Sequence, residues 1–209
     1  DLYLKANEYL QLDINKFDHE FYKKAITLFS ACLQVDPAFA KAYSGMAMAY
    51  YNRYFYDSYF KENYLDSCLI LADRALSIDS RLDEAYYVKG LYLSDNGRIE
   101  EALTNFDLAI KANPNYFQAY SSKGYILIWI QHDYVKGLEN YYNALNLVRG
   151  KIRPESYDNL ARAFHEVGFF DKARDYYQKE LDLTKNKILY FNRMACLEFI
   201  NENFSDAHI

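Results

Sequence analysis

Four histidines and three cysteines are where chemistry would show first, as metal ligands, nucleophiles or general acids and bases. His19, His132, His165 and His208 are widely spread, and none has a metal-ligating partner at i+3 or i+4, the spacing that puts two ligands on one helical face. Cys32, Cys68 and Cys196 form an odd, widely spaced set, neither a disulfide framework nor a metal motif. Cys32 and Cys68 read instead as small buried thiols, compatible with a reducing compartment. No Gly-rich phosphate loop or nucleophile elbow occurs. The acidic pairs Asp83-Glu84 and Glu100-Glu101 sit where helices begin and complement the helix dipole. An enzyme needs a converging constellation, and none is legible, so no catalytic residue, metal site or cofactor is expected.

The elements that position these residues are helical. Pro occurs 3 times and Gly 7 times in 209 residues, so turns are short and few. Apolar residues make up 51%, enough for a continuous core. The strongest apolar run, residues 125–130, is far too short to span a bilayer. The net charge of −5 lacks the basic footprint of a nucleic-acid binder. The chain begins at Asp1 and shows no signal peptide, so a fragment of a longer protein is expected. The compartment stays open between the cytoplasm and, given a membrane anchor elsewhere, the periplasm.

Residues 83–116 set the period. Counting Asp83 as position 1, Tyr86 is at 4, Gly90 at 8, Leu93 at 11, Ala102 at 20, Phe106 at 24, Ala109 at 27 and Pro114 at 32. This 34-residue pattern resembles the tetratricopeptide repeat (TPR), a helix pair with aromatic, Gly and large apolar residues in the first helix and Ala, Phe and Ala in the second. Lys89 departs from it, since position 7 is usually Leu. Similar units span 6–39, 40–82, 117–153 and 154–187, with a partial one at 188–209. The resemblance implies an all-α, right-handed superhelical solenoid of antiparallel helix pairs, about five and a half TPR units in a single domain. The openings LYLKA, KKAI-x-LF and DPAFA-x-AYSGMAMAY further resemble TPR modules of bacterial signalling and regulatory proteins.

Departures from the unit carry their own expectations. Residues 51–63 hold a nine-residue, aromatic-rich insertion, which either packs on a neighbouring repeat or forms a flap beside a binding groove. Asn96-Gly97 makes a turn needing a positive φ, and Asn113-Pro114 stops a helix. The second helix of the fourth repeat is expected to end at Gly150. Glu180 stands where Ala is usual, at position 27, and is expected to turn outward. The helix starting near Ile188 is apolar around most of its circumference, unlike a polar capping helix. Either the protein continues, or this end docks on another chain, including a homodimer through the C-terminal repeat.

By resemblance to the family, positions 2, 5, 9, 12 and 13 of each first helix line the concave face. They place Lys41, Met48, Tyr51 and Asn52 there from the second repeat, and Tyr87, Leu91 and Asp95 from the third. The fourth contributes Tyr125 and Trp129, and the fifth Arg162 and His165. Tyr and Trp are efficient interface anchors. Trp129, the sole Trp, either anchors a ligand or packs on the next repeat. Arg162 either pairs with a ligand carboxylate or is held by Asp158 one turn away. The Lys/Asn/Arg clamp of chaperone-binding relatives is missing: position 5 is Leu10, Ser44, Tyr87, Ser121 and Asp158. The resulting expectation is a non-catalytic scaffold for a protein or peptide partner, a docking or sensing module of a bacterial regulator. Self-association is the alternative, with an enzyme or an RNA-reading repeat behind it.

Overall fold

A computed structural model describes the backbone of residues 1–16, 19–56, 64–148 and 153–206. Among them every regular element is an α-helix. Residues 57–63 of the aromatic insertion and Gly150 lie outside the described residues. The chain forms two compact units, residues 1–114 and 115–209.

The first unit contains α1 (Leu2–Lys16), α2 (His19–Val35), α3 (Ala40–Tyr56), α4 (Tyr64–Ile78), α5 (Asp83–Asp95) and α6 (Ile99–Ala112). Consecutive helices pack as α1/α2, α3/α4 and α5/α6 pairs, with α3 also against α5. Tyr22, Ala25, Phe29 and Cys32 are buried along one face of α2. The spacing i, i+3, i+7 and i+10 explains this, because it keeps them on one side of the helix. Glycine in a first helix then receives a ring from a second helix. A Cβ on Gly90 would lie 2.5 Å from Phe106 Cε1, so only hydrogen at this position lets α5 and α6 approach this closely.

The turns between repeats are also built by recurring residues. Asp36 Oδ1 accepts from Ala38 N, and Asp79 Oδ1 accepts from Arg81 N, both at 2.9 Å. These are local Asx turns. The position-4 tyrosines then clamp them: Tyr43 donates to the Pro37 carbonyl at 3.3 Å, and Tyr86 to the Ser80 carbonyl at 3.0 Å. Tyrosine serves here because its ring packs on the helix pair while its hydroxyl reaches a carbonyl of the turn. α6 stops at Ala112, where Asn113 adopts extended backbone before Pro114, as expected.

The second unit contains α7 (Phe117–Trp129), α8 (Tyr134–Leu147), α9 (Pro154–Glu166), α10 (Phe170–Thr184) and α11 (Lys187–Asp206). Its core joins Ile128, Tyr141, Leu160, Phe164, Tyr177, Met194 and Leu197. Gly124 repeats the glycine device, since a Cβ there would lie 2.7 Å from Tyr141 Cδ1. Asp133 caps α8 by accepting from Lys136 N, and Pro154 occupies the first turn of α9. Gly97 and Gly168 take φ of 73° and 80° in the turns within pairs, where any side chain would be strained.

Two expectations need correcting. α8 ends at Leu147 rather than at Gly150, because Val148 as its C-cap leaves helical backbone geometry (ψ 29°). Glu180 does not turn outward. It is buried at 6% exposure, because position 27 faces the paired helix whatever residue stands there. Helical periodicity therefore overrides polarity at this position.

Candidate binding surface

In the first unit the helices α3 and α5 run side by side, and their side chains meet in two polar rungs. Ser44 Oγ lies 3.0 Å from Glu84 Oε2 and also 3.0 Å from the Lys41 carbonyl. The hydroxyl has one proton for two acceptors. Burial raises the Glu84 pKa, against the lowering effects of Ser44 and Lys41. The second rung is Tyr51, whose buried hydroxyl donates to the Asp95 carboxylate. Burial also raises the pKa of Asp95, which the Tyr51 hydrogen bond partly opposes.

Between these rungs lie apolar side chains. Met48 is half-buried against the cores on either side of α3, and Leu91 packs on the cluster around Cys68 and Val88. The Tyr87 ring sits 5.8 Å from Phe106. Lys41 is exposed, and Asn52 buries its Nδ2 without an acceptor. The first unit thus brings Lys41, Met48, Tyr51, Asn52, Tyr87, Leu91 and Asp95 onto two adjacent helices. Tyr51, however, is mostly spent on structure.

The second unit places Tyr125 and Trp129 one turn apart on α7. Tyr125 is 51% exposed. Trp129 is half-buried, and its indole N–H donates to the hydroxyl of Tyr141. Burial pushes the Tyr141 pKa up to about 12, so it remains a neutral acceptor for that bond. Arg162 of α9 lays its guanidinium 5.2 Å from the Trp129 ring. Trp129 therefore both packs on the next repeat and carries a cation on its outer side.

The partner of Asp158 was not legible in the pattern. Arg193 Nη2 of α11 reaches Asp158 Oδ1 at 2.7 Å, whereas Arg162 Nη1 stands 4.0 Å from Oδ2. The closer contact is Coulombic rather than well directed, since Asp158 Oδ1 makes no geometrically acceptable hydrogen bond. Arg193 also lies over Tyr177 at 5.7 Å. Burial raises the pKa of Asp158, with both arginines opposing it. Burial raises that of Glu180 too, helped by Asp158 and opposed by Arg193. Sequence reasoning missed Arg193 and Glu180 because they join Asp158 only across repeats. The one available signal was the mismatch of an acid at an Ala position.

His165 is set apart from this cluster. Its ring neighbours Phe170 at 6.0 Å, and its Nε2 is buried without a hydrogen-bond partner. Burial lowers its pKa, so the neutral form is favoured. A cavity of about 480 Å³ at the α9–α10 turn, lined by residues such as Phe169 and Lys172, contains none of the groove candidates. Among the described residues no group of His, Cys, Asp and Glu is arranged to hold a metal ion. No described helix is long and apolar enough to cross a membrane.

Comparison with known proteins supports the fold. No protein-family model matches the chain. It is 25% identical over 176 residues to human tetratricopeptide repeat protein 13, covering 84% of this chain and 20% of that protein. The curated relatives it matches are much longer, and the chain spans between 12% and 34% of their length. Among solved structures it resembles a thermophilic TPR protein of Thermus thermophilus, with TM-score 0.69 and 20% identity over 93% of this chain and 99% of that one. It also resembles YrrB, a TPR protein with an unusual peptide-binding site, with TM-score 0.57 and 17% identity over 93% and 90%. The chain therefore has a TPR-like fold.

Proposed function

We propose that this chain is a non-catalytic scaffold that binds a protein or peptide along its first helices. The observation that carries the reading is the cluster of Tyr125, Trp129 and Arg162, held together on α7 and α9 while Tyr125 and Arg162 remain about half exposed. Aromatic and Arg side chains are the usual energetic anchors of interfaces. In the first unit Lys41, Met48, Asn52, Tyr87 and Leu91 supply a mixed surface between the polar rungs. YrrB's peptide-binding site, on a similar fold, supports the reading by analogy. The resemblance of the N-terminal 50 residues to bacterial regulatory modules favours a docking or sensing role in such a protein. No cofactor or nucleic acid is part of this proposal.

The test is direct. Peptides selected on the chain from a random dodecamer display library are titrated while the fluorescence of Trp129, the sole Trp, is followed. Tyr125→Ala is expected to weaken their binding about tenfold or more with unchanged far-UV circular dichroism. Unaltered affinity would reject this surface.

A second reading, self-association, is favoured by α11. Ile188, Phe191 and Phe199 are exposed at 77%, 64% and 69% along one face, opposite the buried Met194 and Leu197. Light scattering across a hundredfold concentration range should show a dimer that Phe191→Ser disperses. A strict monomer sinks this reading.

A further inference from the structure

The exposed face of α11 complements itself. The helix is fixed to its unit by the buried Met194 and Leu197 and by Arg193, which holds Asp158 at 2.7 Å. The face turned away from that core carries Ile188, Phe191 and Ala195, all exposed, at the spacing i, i+3 and i+7. The Phe191 ring touches Tyr190 of its own helix and still stays 64% exposed. Ala195 is position 8 of its repeat. At that position Gly90 takes the ring of Phe106, and Gly124 takes that of Tyr141. Both glycines are buried under those rings, whereas the small Ala195 leaves its recess open to solvent. Lys187 and Glu198 border one edge of the stripe, because the interval between them is about three whole turns. Both are exposed, and neither has an ion-pair partner among the described residues.

Resting on the self-association reading above, we propose that α11 pairs with α11 of a second copy in antiparallel order about a two-fold axis. Phe191 of each chain sits on Ala195 of the other, and Lys187 of each faces Glu198 of the other. The two pairs share one centre, at Asn192–Arg193, so a single register satisfies both. In antiparallel helices an edge meets the same edge of its mate, which sets Lys187 against Glu198 twice. In parallel order that edge meets the opposite one, which carries Asn192 and Cys196, and both charges go unanswered. Charge thus selects the orientation, while the apolar stripe supplies the contact. A second copy is the occupant because the face offers a ring with a recess and a cation with an anion, each pair symmetric about the same point. An isologous interface requires that self-complementarity. The stripe is short, so the interface falls in the small class, below about 1,200 Å² in total, and the dimer is a weak one.

The experiment uses the full chain carrying Cys196→Ser, so that the thiols left are the buried Cys32 and Cys68. Sedimentation equilibrium from about 1 μM to about 1 mM measures the dimer. Lys187→Cys and Glu198→Cys are made separately in this background and mixed under mild oxidation. Disulfide-linked dimers are expected from the mixture and from neither variant alone. Lys187→Glu should weaken the dimer about threefold to tenfold, the reach of two exposed ion pairs. Glu198→Lys should do the same, and the double reversal Lys187→Glu/Glu198→Lys should restore it. Ala195→Gln fills the recess from an exposed position, so it should weaken the dimer without lowering the melting temperature of the monomer. A dimer that Phe191→Ser disperses, but whose cross-links join like positions or do not form, overturns this proposal and leaves self-association through α11 standing. So does a dimer indifferent to both charge reversals. A strict monomer, or a dimer that Phe191→Ser leaves intact, overturns both.

Discussion

Replacing Gly124 by Ala should disturb the binding corner from inside the core. The new methyl would sit 2.7 Å from Tyr141 Cδ1, 2.8 Å from Cε1 and 3.1 Å from Cγ. Ordinary carbon contacts lie near 3.5–4.0 Å, so the ring must retreat by about 1 Å. It has little room, being 3% exposed within the cluster of Leu160, Ala161 and Tyr177. Overpacking of this kind costs about 1–3 kcal/mol, while the better helix propensity of Ala returns about 1 kcal/mol. The net expectation is a loss of about 1 kcal/mol, measured by urea denaturation. Because Tyr141 holds the Trp129 indole, native Trp emission should shift as well. Two controls separate the causes. Tyr141→Phe keeps the ring, so the Gly124→Ala penalty should persist in that background. Tyr141→Leu removes the ring, so Gly124→Ala should there become neutral or stabilising. Equal or greater stability of Gly124→Ala in the unaltered chain would refute the reasoning, as would the same effect in the Leu background.

Two other outcomes follow from the same structure. The folded-state pKa of Glu180 is raised, so between its unfolded pKa and that raised value the folded chain binds more protons than the unfolded one. Stability from this group is therefore present in full below the unfolded pKa and lost as pH rises through the folded pKa. Relative to Glu180→Gln, the unaltered chain should gain stability as pH falls from neutral toward the ordinary carboxylate range. A flat difference in melting temperature would contradict the burial argument. The thiols should also separate by reactivity: Cys196 is exposed, Cys32 is buried, and burial pushes the Cys68 pKa up to about 12. One equivalent of thiol should react quickly with a disulfide reagent in the native chain, and the other two only on unfolding; two fast equivalents would place a second thiol at the surface.

The helices were largely legible in the sequence because their signals are local and repeated. Tyr86, Gly90, Phe106 and Ala109 report a helix pair by spacing alone, and Gly97 and Asn113-Pro114 mark its turns. The surface was legible only as positions. Spacing put Tyr51 and Trp129 on the first-helix face, but it could not say that the Tyr51 hydroxyl is taken by Asp95 or the Trp129 indole by Tyr141. Those bonds join residues far apart in the chain.

What the sequence determined by itself is a periodic array of paired helices, because a 3.6-residue helix sorts apolar from polar side chains without reference to anything distant. Tertiary structure alone decided how the charges are shared. Glu180 is buried because its position faces a partner helix, and Asp158 answers Arg193 because α11 packs back on α10. Charge acts through space rather than along the chain, so only the assembled repeats could leave Arg162 resting on Trp129.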